Sequence, residues 1–468
     1  MGPNPTNDGD STECCSSDEE GTMRELIDDY RGIERPRNVA LVSLSHGINE
    51  FYGLVIPPII PLLVTDLEIT YAAAGLLLTV FYAMYSIFQL PAGMIADRIG
   101  KKRLLVWGLV GMAIGLLVAS TARSYEVLLV AKVLMGIAGS TYHPAGMAMI
   151  SDSETNDTEG KAMGVFGLGG QIGVASAPVI IGGIAALFHW RTALLVAAGV
   201  GIGFTVAFQF LYRTPPATTP DGGAVDESPD CETDPSSTDD EPTAATDAHG
   251  SGRSTGDGGG SSRLQGWFRR VLRFELTPGI VLVSLVTLLV SLQIRSIQTF
   301  ATGFVADGVG QGTSMANGVF FVMLSASAVS SIWVGSLADR FDRGRLGALA
   351  AITTSLLLLS TILVVVIEGA LVDWMVAGLL VVLFALLGLA VYGCTPIKNA
   401  LISEYATTEA SGSIFGVTQT ASSAGSAAGP AMFGYVATEY GIAVAFPLIA
   451  VVGGIIAVGF YSLSRRTA

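Results

Sequence analysis

The chain is short of charge, of lysine and of cysteine, and each scarcity excludes something. Charged residues fill only 14% of the 468 positions, too few for the solvated surface of a soluble chain of this size. Lysine occurs only at Lys101, Lys102, Lys132, Lys161 and Lys398. The four cysteines, Cys14, Cys15, Cys231 and Cys394, suggest neither a disulfide framework nor a cysteine metal centre. Nucleophile elbow, phosphate-binding glycine loop and metal-ligand spacing are all missing from the sequence. No enzyme activity, cofactor, metal or nucleic-acid partner is expected.

What is present is apolar. Half of the residues are hydrophobic, and runs of about 20 apolar residues recur, the length a helix needs to cross a bilayer core. The 57 glycines fit this reading, because small residues let membrane helices approach closely. The pattern predicts an all-α membrane protein. Twelve spans are expected near 39–64, 72–95, 103–122, 126–150, 162–188, 191–212, 278–305, 313–337, 345–367, 373–401, 412–436 and 441–463. They divide into an N-terminal half, 38–213, and a C-terminal half, 276–468.

The net charge of −14 is concentrated outside the spans, in runs such as Asp18-Glu19-Glu20 and Asp239-Asp240-Glu241. Residues 1–37 and 214–275 lack apolar periodicity, so both are predicted to be acidic and disordered. Such acid-rich, lysine-poor segments resemble proteins of salt-loving archaea; plain solubilising tails are the alternative. Lysine and arginine gather in the links on one side of the spans, among them Arg37, Lys101, Lys102, Arg103, Arg343, Arg345 and Arg465, against Arg123 and Arg191 on the other. By the positive-inside bias both termini are expected in the cytoplasm and the chain in the cell membrane.

The two halves repeat each other. The link Gly93-Met-Ile-Ala-Asp97-Arg98-Ile-Gly100-Lys101 returns, shortened, as Gly335-Ser-Leu-Ala-Asp339-Arg340-Phe-Asp342-Arg343, each time between the second and third span of its half. Span five reads Gly164, Gly173, Ala177-Pro178, Gly182, and span eleven reads Gly416, Gly425, Gly429-Pro430, Gly434, at one constant offset. Two copies of a membrane unit, each with a charged hinge, predict halves that rock against each other around a midplane site.

These features resemble the major facilitator superfamily. The doubled Gly-x-x-x-Asp-Arg link is similar to its best-known motif, although Asp342 stands where the first copy has Gly100. Span five resembles the glycine-proline motif of the superfamily's proton-coupled exporters, with Ala177 and Ile181 in place of two glycines. The resemblance implies that Asp97 faces the start of span eleven and Asp339 the start of span five, so that Gly93, Asp97, Arg98, Gly335, Asp339 and Arg340 gate the cytoplasmic side. A role in orientation or lipid contact is the plainer reading of the basic residues.

The candidate chemistry lies in three spans. Span one carries Ser45-His46-Gly47-Ile48-Asn49-Glu50. Glu50 lies about a dozen residues inside the span, roughly 18 Å from its start, and a carboxylate at that depth tends to mark function. His46 shares its helical face one turn away. Glu50 and His46 are therefore expected to carry a proton, or, alternatively, Glu50 pairs permanently with Arg295 or Lys398. Span four carries Ser140-Thr141-Tyr142-His143-Pro144, where proline should open the helix. The two clusters together resemble the fosmidomycin-resistance branch of the superfamily.

Asn49, Tyr142, His143, Gln171, Gln293, Arg295 and Gln298 are expected around a substrate cavity, and Gly164, Gly173, Pro178, Gly425, Gly429 and Pro430 at helix contacts. For the glutamines, helix–helix hydrogen bonding is the competing expectation. Together these features predict a monomeric, proton-coupled (or sodium-coupled) exporter of small organic molecules, with an uptake symporter for an anionic metabolite as the alternative. A sensor acting through the linker is a lesser alternative.

Overall fold

The computed structural model describes residues 32–214, 277–338, 340–405 and 411–467. Asp339 and nearly all of the two acidic stretches expected to be disordered lie outside the described residues. All regular structure among the described residues is helical. Helices α1 to α6 span Pro36–Asp66, Tyr71–Ile99, Lys101–Ser120, Tyr125–Ser151, Thr158–Leu187 and Trp190–Leu211. After the linker come α7 (Pro278–Gly308), α8 (Thr313–Ala338), α9 (Arg343–Ala370) and α10 (Asp373–Tyr405). Last are α11 (Ser411–Tyr440) and α12 (Ile442–Arg465).

Eleven of these are long and apolar enough to cross a membrane. The exception is α11, which at 30 residues has the length. Its run Thr420-Ala-Ser-Ser-Ala-Gly-Ser-Ala-Ala-Gly429 lowers its hydropathy, because this helix spends its surface on close contacts and polar groups.

The halves pair their helices alike. In the first, α1 packs on α5, α3 on α6, and α4 on α2 and α3; in the second, α7 packs on α11, α9 on α12, and α10 on α8 and α9. The repeated glycines explain the first of these pairings. A Cβ at Gly173 would lie 2.0 Å from the Gly47 carbonyl oxygen of α1, and one at Gly425 would lie 2.0 Å from the Leu288 carbonyl oxygen of α7. Gly429 likewise abuts Leu292. The partners are backbone, so only glycine permits the approach. Gly416 faces open space instead, and Gly164 is exposed.

Two departures from straight helices have sequence causes. Helix α1 breaks at Leu54–Ile56 and resumes as a short 3₁₀ turn, Pro57–Ile59, because Pro57, Pro58 and Pro61 withdraw three backbone donors. A single unbroken span was expected there. Helix α4 breaks between Gly139 and Tyr142, where Pro144 has no N–H to offer the Ser140 carbonyl, as the proline predicts.

The two hinge copies end their helices by different means. Gly100 takes φ +91° to leave α2, a left-handed conformation suited to glycine. Asp342 keeps φ −57° and accepts a hydrogen bond from the Arg345 backbone N–H at 2.6 Å. It thereby caps α9, so the substitution of aspartate for glycine exchanges a glycine turn for an N-cap.

The α2–α11 and α5–α8 contacts join the halves, with α7 also touching the broken part of α1. Among the described residues, the hydrogen bonds between halves all lie at the end that carries the α1–α2 turn. Thr302 donates to the Pro57 carbonyl and Asn317 to the Pro58 carbonyl. Thr79 donates to Ala427, Thr438 accepts from the Ala72 N–H, and Tyr71 donates to Asp307. That end is sealed.

Candidate functional site

Above the seal the halves diverge around a partly open cavity. The first half's core is divided in two by a polar layer. One apolar cluster, around Tyr52, Ile56, Leu77 and Met135, lies on the sealed side; another, around Val42, Leu105, Tyr142 and Phe166, lies on the far side. Between them sit His46, Glu50 and His143.

Helix periodicity puts His46 and Glu50 one turn apart, with His46 Nε2 3.8 Å from Glu50 Oε1. The break in α4 brings His143 Nε2 to 3.9 Å from the same oxygen. Asn49 Nδ2 donates to it at 3.3 Å. No arginine or lysine among the described residues reaches salt-bridge distance of Glu50, so the carboxylate has imidazoles rather than a fixed cation for neighbours. The alternative of a permanent pair with Arg295 or Lys398 is not what the geometry shows.

His46 is held tightly. Its ring stacks on Phe166 at 4.0 Å and on Tyr142 at 5.5 Å between centroids, and Nδ1 lies 2.8 Å from the Phe166 carbonyl oxygen. A carbonyl only accepts, so Nδ1 carries a proton and Nε2 points its lone pair toward Glu50 when the ring is neutral. Buried His46 Nε2 has no hydrogen-bond partner among the described residues. One atom from each of His46, Glu50 and His143 lies within 4.8 Å of the others, beyond direct hydrogen bonding but within the span of one bridging water, and the triangle also has room for a small cation.

Arg295 projects from α7 in the other half. Its Nη1 donates to Gln298 Oε1 at 2.7 Å, and Gln298 in turn donates to the Tyr392 hydroxyl. The guanidinium lies 4.5 Å from the centroid of the Tyr82 ring, a cation–π contact that reaches across the cavity to the first half.

The remaining walls come from two helices. On α2 they are Tyr82, Tyr85, Ser86 and Gln89; on α11 they are Gln419, Ser422, Ser423 and Ser426. Both sets recur at i, i+3, i+4 and i+7, the spacing of one helical face.

The sequence matches the family described as Major Facilitator Superfamily over residues 39–380 and again over 283–468. The chain belongs to that superfamily. It is 28% identical over 148 residues to the "Probable L-galactonate transporter" of Escherichia coli (strain K12), covering 32% of this chain and 33% of that one. It is 26% identical over 181 residues to "Multidrug resistance protein 1" of Bacillus subtilis (strain 168), covering 38% and 46%. The match therefore spans less than half the length of either relative. A solved bacterial homolog of the human lysosomal transporter Spinster, inward-facing and unoccupied, superposes with a TM-score of 0.70 at 16% identity over 93% of this chain and 98% of that one. The chain is a multi-pass membrane protein of this superfamily.

Of the residues expected around a substrate cavity, Asn49, His143 and Arg295 line this one, together with Glu50. Other residues expected there lie elsewhere. Tyr142 is buried with its hydroxyl between Ser45 Oγ and the Val42 carbonyl oxygen, each 2.7 Å away, where it ties α4 to α1. Gln293 turns toward α12, its Nε2 3.5 Å from the Ile449 carbonyl oxygen. Gln298 stands behind Arg295, and Gln171 on α5 is outside the cavity wall.

At the other end Asp97 and Arg98 are exposed, and residues 406–410, which precede α11, are outside the described set, as is Asp339. Arg340 is exposed as well. Beside these hinges Lys101 pairs with Asp152 at 2.7 Å and Arg343 with Glu404 at 3.3 Å, one bond per half at matching positions. The two polar faces on α2 and α11 were missed as wall residues; their periodicity within apolar spans was the available signal.

Proposed function

We propose that this protein moves small organic molecules across the cell membrane by alternating access, coupled to protons through Glu50 with His46 and His143. One observation carries the reading: a carboxylate at the centre of the fold has two imidazoles and an amide around it, and among the described residues no arginine or lysine within salt-bridge distance. Such a group can gain and lose a proton as the cavity faces one side and then the other. With the basic links and both termini in the cytoplasm, the sealed end is the outer one and the structure faces inward. Export then follows if substrate and proton compete for the inward cavity. The His46-x-x-Asn49-Glu50 and His143-Pro144 clusters support placing the chain near the fosmidomycin-resistance branch. The acid-rich stretches support an origin in concentrated salt. The hinge residues Gly93, Asp97, Arg98, Gly335, Asp339 and Arg340 would close the inner side in the opposite state.

Uptake is the second reading, favoured by Arg295 on the wall and by a relative named for L-galactonate. Glu50 would then balance charge. Proteoliposomes with an imposed pH gradient separate these readings. Substrate added to wild type should move protons, with the direction of substrate flux reporting antiport or symport, and Glu50→Gln should abolish the proton movement while exchange of substrate persists. Gradient-driven accumulation that survives the substitution removes Glu50 from the mechanism.

A further inference from the structure

Sixteen residues line the cavity, and all but Gly53, Leu54, Phe81 and Val174 carry a polar side-chain atom. Small-molecule sites are ordinarily apolar with a few polar groups, so this wall is built for a ligand that is itself polar over most of its surface. We propose that the substrate is a small polyhydroxylated organic anion, with its acid group on Arg295 and its hydroxyls between the facing polar stripes of α2 and α11. The proposal deepens the alternating-access reading of the same cavity and does not depend on the direction of transport or on the coupling ion.

The charge follows from Arg295. It is the one lining residue that is permanently cationic. Gln298 takes one of its donors, and Tyr82 holds one face of its plane. The remaining guanidinium donors suit a carboxylate, sulfonate or phosphonate, each of which accepts two parallel bonds. A neutral polyol would offer the free guanidinium donors no anionic acceptor, and a lipophilic cation would be repelled by the charge.

The hydroxyls follow from the stripes. Gln89 on α2 and Gln419, Ser423 and Ser426 on α11 have no side-chain hydrogen bond among the described residues. Each can donate and accept, one from α2 and three from α11, and the i, i+3, i+4, i+7 spacing sets the lining residues along one line on each helix. A chain of hydroxylated carbons presents donors and acceptors in the same linear way. An apolar ligand of equal size would strip these groups of water and offer nothing in return, a selection against the wrong ligand as strong as the selection for the right one.

The test is exchange of labelled D-gluconate in proteoliposomes of the full chain, with three competitors. Sorbitol has the hydroxyls without the acid, hexanoate has the acid without the hydroxyls, and ethidium is a lipophilic cation. Wild type should exchange gluconate, with sorbitol and hexanoate each competing at least about ten-fold more weakly, as expected for loss of one well-made polar contact. Ser423→Ala and Gln419→Ala should each raise KM for gluconate without changing competition by hexanoate. Arg295→Gln, prepared beside them as a monodisperse protein, should erase the preference for gluconate over sorbitol.

Transport of ethidium with no exchange of gluconate overturns the proposal while leaving proton coupling standing. Net gluconate flux that no pH gradient drives or opposes removes proton coupling and leaves the substrate class in place. Unchanged gluconate KM in both stripe variants also overturns the proposal.

Discussion

Glu50 gains its character from what stands around it. An arginine in contact would fix the carboxylate's charge, whereas the groups that approach it here, at 3.8 and 3.9 Å, are the imidazoles of His46 and His143. Tyr142 shows the opposite case, a polar residue whose role is structural. Its hydroxyl bonds Ser45 Oγ and the Val42 carbonyl oxygen, and Ser45 Oγ also donates to Val42 at 2.7 Å. Tyr142→Phe therefore leaves that carbonyl satisfied and should cost about 1 kcal/mol of stability, seen as a lower unfolding midpoint in detergent, with substrate preference unchanged. A changed preference would return Tyr142 to the cavity wall. Sequence alone showed His46 and Glu50 on one face because i and i+4 meet on any helix. It could not show that Tyr142 and His143, neighbours in the chain, part company at the α4 break, one into packing and one toward the cavity.

For whole helices, the two glycine motifs are the clearest sequence record of packing. Gly425 faces the Leu288 carbonyl oxygen of α7 at a distance no Cβ tolerates, while Gly416, nine positions earlier in the same motif, faces open space. Gly425→Val should force α11 off α7 and cost several kcal/mol, since backbone cannot yield as a side chain can. Gly416→Val should change stability by no more than about 0.5 kcal/mol. Yields of monodisperse protein and thermal unfolding of the two variants test the contrast, and equal behaviour would refute the packing role. The motif was readable because small residues at a fixed spacing mean close approach. Which of its glycines makes the contact depends on the rotation of α11, set by its neighbours. The stripes on α2 and α11 were equally readable as periodic, but hydroxyl and amide groups in a membrane helix serve helix contacts as readily as a cavity. Gln293 and Gln89 look alike in the sequence, and only α12 beside the one and open space beside the other tell them apart.

At the scale of the molecule the halves meet through a seal at one end, made largely of side chains bonding to backbone carbonyls. Pro57 and Pro58 expose carbonyls at the α1 break, and Thr302 and Asn317 take them. Alternating access requires that seal to open. A reducible bifunctional cross-linker joining Tyr71→Cys and Asp307→Cys, whose native side chains bridge the halves by a hydrogen bond, should stop net transport in a background lacking the four natural cysteines, and reductant should restore it. Transport that continues through the cross-linked protein would exclude a rocking mechanism about this end.

The amino-acid sequence by itself determined that this is a helical membrane protein with a duplicated plan, since spans must satisfy their own backbone in lipid and a repeat in the chain is a repeat in space. It also pointed to the break in α4, because Pro144 offers no donor to Ser140, whereas α1 was expected to run unbroken. The tertiary structure alone decided which end is sealed, which polar residues reach the cavity and that Glu50 meets two histidines. Those outcomes depend on helix rotation and on contacts between residues more than 90 positions apart, and no local spacing encodes them.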